Sequence, residues 1–75
     1  MNPYQTDAYI HLADCLRQMG RVDLAILAME ELLKLQPQNA QAHMNAAALL
    51  RSVGRAGEAN LHRERALAID PKLAR

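Results

Sequence analysis

Apolar residues recur along this chain at three- and four-residue intervals, in stretches separated by glycine and proline. Tyr9, Leu12, Ala13, Leu16 and Met19 run i, i+3, i+4, i+7, i+10, and Ala25, Ile26, Met29, Leu32 and Leu33 take up the same logic after a break. This spacing sets side chains on one side of an α-helix. The second half follows suit, with Ala46, Ala47, Leu50 and Val53 making one face and Ala59, Ala66 and Leu67 the next. The breaks have chemical causes. Gly20 and Gly54 can take the left-handed conformation that ends a helix. Asp23 and Asn39 are placed to cap the N-termini of the second and third helices. Pro37 and Pro71 stop the helices before them, because proline has no N–H to donate and disfavours helix at the preceding residue. The pattern predicts helices near 7–19, 23–35, 40–53 and 57–69.

The two halves are copies. Pro3, Pro37 and Pro71 stand at one stride of 34 residues, and residues 6–39 align with 40–73 at eleven identities. The shared residues are Ala8/Ala42, Ala13/Ala47, Leu16/Leu50, Arg17/Arg51, Gly20/Gly54, Arg21/Arg55, Ala25/Ala59, Leu27/Leu61, Glu30/Glu64, Leu33/Leu67 and Pro37/Pro71. Chance matching in so Ala- and Leu-rich a composition gives roughly three. The matches also fall where helix packing and helix ends require particular residues. Small side chains at Ala13 and Ala25, and again at Ala47 and Ala59, let two antiparallel helices approach, while Leu16, Met29, Leu33 and Leu50 fill the space beside them.

This pattern resembles the tetratricopeptide repeat, which carries a large residue, a Leu-Gly or Leu-Ala pair, a further large residue, a turn glycine, an alanine with a large residue four later, and a closing proline. The first unit reads Tyr9, Leu12-Ala13, Leu16, Gly20, Ala25, Met29 and Pro37; the second reads His43, Ala46-Ala47, Leu50, Gly54, Ala59, Arg63 and Pro71. The resemblance covers residues 6–73 and implies an all-α fold, an α-solenoid of two antiparallel helix–turn–helix hairpins, in one domain over 1–75. It implies a scaffold that holds a protein or peptide partner on its concave side, lined by the first helix of each unit. Carried onto this chain, the concave residues are Asp7, Ile10, Asp14, Arg17 and Gln18 in repeat one (6–39), and Gln41, Met44, Asn45, Ala48, Arg51 and Ser52 in repeat two (40–73). Ile10, Met44 and Ala48 form an apolar patch beside Arg17 and Arg51, which recur at one spacing and either engage acidic groups on a ligand or pair with local acids such as Asp14. A family subclass that grips C-terminal carboxylates is not matched. Only Asn45 fits its clamp, and Ile10 and Asp14 stand where a Lys and an Asn are needed.

Both ends of the pattern depart from an interior repeat. Asn60, His62 and Arg63 replace Ile26, Ala28 and Met29, which reads as a capping helix whose outer face meets water. At the other end Asn2-Pro3 looks like the tail of a preceding repeat, and in the family Ala8 and Cys15 face such a neighbour. The chain is therefore expected to be a fragment of, or addition to, a longer array, or to be covered by a partner. Arrays of this type generally need about three repeats, so a homo-oligomer is an expectation too. Leu27 and Leu61 occupy matching positions, and either pack in the ordinary way or form a contact stripe.

Composition narrows the function classes. The formal net charge is +1, with seven Arg and two Lys offset by eight acids; nucleic-acid binders of this size are strongly basic, so nucleic acid and anionic membrane are not expected as partners. No apolar run approaches the roughly 20 residues that span a bilayer, no signal peptide is legible, and the single Cys15 allows no internal disulfide, which favours the cytoplasm. Catalytic and cofactor chemistry is not expected. His11, His43 and His62 lack a helical i, i+4 histidine partner, His43 takes the place of a packing aromatic, and His11 and His62 read as surface residues. Cys15 reads as a small packing residue, and the glycines are isolated rather than gathered into a phosphate loop. Three readings remain: a binding scaffold, a self-associating structural module, and the accessory region of a larger enzyme.

Overall fold

The computed structural model describes residues 3–74. It contains four α-helices, α1 (Pro3–Gln18), α2 (Val22–Leu35), α3 (Ala40–Ser52) and α4 (Ala56–Ile69), then a 3-10 turn over Pro71–Ala74. Each helix packs on the next in sequence: α1 on α2, α2 on α3 and α3 on α4. This is a helical-repeat solenoid of two hairpins, as the 34-residue period implies.

The turns inside both hairpins are made the same way. Gly20 has φ +79° and Gly54 φ +81°, a region that costs a side-chain-bearing residue about 1–2 kcal/mol. The following N–H reaches back across the helix end, Arg21 to the Leu16 carbonyl at 2.8 Å and Arg55 to the Leu50 carbonyl at 2.9 Å. Gly20 and Gly54 themselves donate to Arg17 and Arg51 at 3.0 and 3.1 Å. This pair of bonds satisfies carbonyls that the helix end would leave unpaired. The hairpins are joined differently. Gln36 donates its N–H to Leu32 and ends α2, and Asn39 Oδ1 accepts from the Ala42 N–H at 3.0 Å and starts α3. The Oε1 atom of buried Gln36 accepts from both the Thr6 hydroxyl, at 2.8 Å, and Asn39 Nδ2, at 2.9 Å. One side chain thereby ties the start of α1 to the joint between the hairpins.

Several local expectations need correction. α1 begins at Pro3, well before residue 7, because proline is pre-shaped for the first turn of a helix, where its missing N–H costs nothing. Pro3 is thus a helix opening; Asn2 lies outside the described residues. Asp23 does not cap α2. The cap position is Arg21, with no side-chain cap bond, and Asp23 sits in the first turn, where its charge suits the helix dipole.

The core lies between the helices and is built from small and medium side chains. Ala13, Ala25, Ala46, Ala47 and Ala59 are buried together with Ile26, Met29, Leu32, Leu49 and Leu50. Not every residue on the predicted faces joins them. Leu12 is 49% exposed and Met19 66%, whereas Ala46, the counterpart of Leu12, is fully buried. The reason is positional: the matching face of α3 lies against α2, while no helix of the described residues packs on that face of α1. For the same reason Cys15 is exposed rather than a packing residue, although its counterpart Leu49 is buried, and Ala8 is exposed where Ala42 is buried. Val53, counted on a packing face, is 39% exposed just past the end of α3. Leu27 and Leu61 are also exposed, at 55% and 57%, so ordinary packing does not describe them. On α4, Asn60 and Arg63 meet solvent where Ile26 and Met29 are buried on α2.

Candidate partner-binding groove

The first helices of the two hairpins, α1 and α3, leave an open groove of about 300 Å³ between them. Its α1 wall carries Ile10, His11, Ala13, Asp14 and Arg17, and its α3 wall Asn45, Ala48 and Leu49. The groove exists because the facing side chains are short: Ala13 and Ala48 leave the floor low, and half-buried Ile10 with buried Leu49 makes it apolar.

Of the residues assigned to the concave side, Ile10, Asp14, Arg17, Asn45 and Ala48 come together in this groove. Asp7, Gln18, Gln41, Met44, Arg51 and Ser52 lie on the same two helices without lining it. Met44 is half-buried and the other five are exposed. His11 and Leu49 line the groove unforeseen. The heptad-like signal was available for His11, which follows Ile10 and precedes Asp14 by three, but a lone exposed histidine carries no sign of its neighbour across the groove.

The two matching arginines differ. Arg17 Nη2 donates to Asp14 Oδ1 at 2.7 Å, and Gln18 Nε2 donates to Asp14 Oδ2 at 3.0 Å. The Arg17 hydrogen bond, more than any other cause, holds the exposed Asp14 carboxyl below its ordinary range. In the second repeat Ala48 stands where Asp14 does in the first, so Arg51 lacks that partner and makes no ion pair among the described residues. Gln41 Nε2 donates to Asn45 Oδ1 at 3.1 Å, and the Ser52 hydroxyl donates to the Leu49 carbonyl at 2.6 Å, so these polar groups are engaged along their own helix.

On the opposite side, between the end of α2, α3 and α4, lies a second cleft of about 460 Å³ lined by His43, His62, Arg65, Pro37 and neighbouring apolar groups. His43 is buried, as its aromatic-like position implies, but His62 is half-buried rather than a surface residue. Their Nδ1 atoms lie 3.0 Å apart, and His43 Nε2 lies 3.0 Å from the Pro37 carbonyl. A carbonyl only accepts, so His43 carries its proton on Nε2 and presents a bare Nδ1, to which His62 Nδ1–H donates. Burial, then the neighbouring His43, then the positive Arg65 lower the His62 pKa, against the opposing pull of Glu30 and Glu58. The sign follows. The folded state binds the His62 proton less readily than the unfolded chain, whose imidazole titrates near 6.5. Stability is full above that value and falls as pH drops through it. The melting temperature is expected to decline from about pH 7.5 to about pH 5, and to decline less in His62→Ala. An equal decline in both proteins assigns the acid sensitivity elsewhere. Asp14 and Glu58, whose pKa values are also lowered, add acid sensitivity only below about pH 4.

No helix among the described residues is long and apolar enough to cross a membrane. A comparison with curated proteins finds no match. A family model, that of the tetratricopeptide repeat, matches residues 6–39, from Thr6 in the first turn of α1 to the cap of α3. Repeats of this family generally mediate protein–protein interaction. That match on the first hairpin, with the second repeating it at a 34-residue stride, supports the tetratricopeptide-repeat family for this chain.

Proposed function

We propose that this chain works by binding rather than by catalysis, holding an extended peptide or a helix of a protein partner in the groove between α1 and α3. The observation that carries this reading is the groove itself, open along its length, apolar at its floor and polar at its rim. Its volume sits at the bottom of the range for small-molecule sites, about 300–1,000 Å³, which suits a few side chains of a longer ligand. Asp14 occupies Arg17, so Arg51 is the arginine available to a ligand carboxylate. The favoured ligand sets apolar side chains over Ile10 and Ala48 and an acidic one toward Arg51.

Peptides selected against the purified chain from a random display library test this. Ala48→Glu, on the groove floor, and Arg51→Glu, beside it, are expected to weaken their binding about tenfold, near 1.4 kcal/mol, with the melting temperature within a few degrees of the parent. Selected peptides that bind both variants as tightly as the parent would remove the groove from consideration.

A second reading rests on the α1 face bearing Ala8, Leu12 and Cys15, whose counterparts on α3, Ala42, Ala46 and Leu49, are buried. A second copy is the occupant this face favours. The copy's α4 makes a poor substitute for α2, since it carries Asn60 and Arg63 in place of Ile26 and Met29, so the pairing is α1 against α1 about a two-fold axis. Melting is then expected to rise with protein concentration, and Leu12→Glu to abolish that rise. A melting temperature independent of concentration, with a monomer in sedimentation, counts against it.

A further inference from the structure

The cleft on the far side of α3 from the groove holds two imidazoles that no part of the binding reading uses. They come from different helices, nineteen residues apart, and face each other through equivalent ring nitrogens at 3.0 Å. Their rings are 5.3 Å apart and tilted by 36°, so they meet edge to edge rather than stacked. Two imidazole nitrogens bound to one first-row divalent ion, each at about 2.0–2.1 Å, lie about 2.9–3.4 Å apart when they occupy neighbouring coordination positions. The separation here falls in that interval.

Two further features fit a metal ligand pair. His43 Nε2 donates to the Pro37 carbonyl, which fixes the tautomer with Nδ1 bare and orients the ring, as the outer hydrogen bond of a ligating histidine does. His62 is half-buried at the cleft, so its ring has room to turn its Nδ1 lone pair toward an ion while His43 stays anchored. One neighbour opposes the ion: Arg65 lines the same cleft, and its charge is set against those of Glu30 and Glu58.

We propose that His43 and His62 form a two-histidine site for an imidazole-preferring divalent ion such as copper(II), nickel(II) or zinc(II), clamping α3 to α4. On binding, the ion takes the lone pairs of both Nδ1 atoms, and the proton between them passes through solvent to His62 Nε2, so both rings stay neutral; no redox change is involved. No third His, Cys, Asp or Glu joins the pair among the described residues, so water completes the coordination. The order of affinity expected for such a nitrogen site is copper above nickel and zinc.

The purified 75-residue chain, titrated with copper sulfate, nickel chloride or zinc chloride near neutral pH, tests the proposal. The expected result is one ion per chain, a raised melting temperature, and simultaneous loss or shift of the His43 and His62 ring signals in the NMR spectrum with nickel. His62→Ala should weaken binding by about tenfold or more, whereas His11→Ala leaves it unchanged. Because His43 is buried, the second variant is Arg65→Gln, which leaves the two ligands in place and should tighten binding by relieving charge repulsion. Binding that survives His62→Ala, that fails to tighten in Arg65→Gln, or that moves the His11 signals instead overturns the site, as does the absence of any binding.

Discussion

Leu50→Ala is expected to leave the chain largely unfolded under conditions where the parent is folded. Leu50 is fully buried in the one core cluster, beside Ala46, Ala47 and Ala59. Truncating a buried leucine costs about 2–5 kcal/mol, partly through lost apolar transfer and partly through the cavity left behind. A domain of this size has about 3–5 kcal/mol of stability to lose. Far-UV circular dichroism and urea melts would measure the loss. Val53→Ala, at the exposed end of the same helix, should stay within about 0.5 kcal/mol of the parent. A cooperative melt retained in Leu50→Ala with a loss below about 1 kcal/mol would show that the core does not sit where these helices place it.

The second large effect contrasts two adjacent alanines. Ala47 is buried in the core on α3, whereas Ala48 is exposed on the groove floor. Ala47→Leu forces extra methylenes into a closed helix crossing, at an expected cost of about 1–3 kcal/mol, and the melting temperature should fall by about 4–8 °C for each kcal/mol lost. Ala48→Leu projects into open space and should leave the melt near that of the parent. It fills the groove instead, so it should abolish binding of groove-directed peptides that Ala47→Leu, when folded, still binds. If Ala48→Leu destabilises as much as Ala47→Leu, the groove is not open. If it neither destabilises nor blocks peptides, the ligand lies elsewhere.

The electrostatics of the molecule are modest by comparison. The three ion pairs among the described residues, Arg17–Asp14, Lys34–Glu31 and Arg55–Glu58, join residues three apart on exposed helix surface or at its start. Water and salt screen such pairs, which rarely contribute more than about 1 kcal/mol each. Their interest is in what they occupy. Arg17 is engaged by Asp14, and Ala48 at the matching place in the second repeat offers Arg51 no such partner; the repeats match at their packing residues and differ along the groove.

The sequence by itself determined the helices, the left-handed glycine turns, the Asn39 cap and the hairpin pairing, because each follows from local geometry repeated at one stride. Gly20 and Gly54 had to sit where a helix ends in a left-handed residue. Ala13, Ala25, Ala47 and Ala59 had to be small where two helices touch. Which residues of those faces are covered was a different matter. Leu12 and Ala46 occupy the same position in the two repeats, and Cys15 matches Leu49, yet one member of each pair is exposed and the other buried. Periodicity specifies the direction of a side chain from its helix axis, but not whether another helix stands there. The groove between α1 and α3 and the meeting of His43 with His62 likewise join residues far apart in the chain, and only the stacking of one hairpin on the next, or of α4 on α3, brings them within reach.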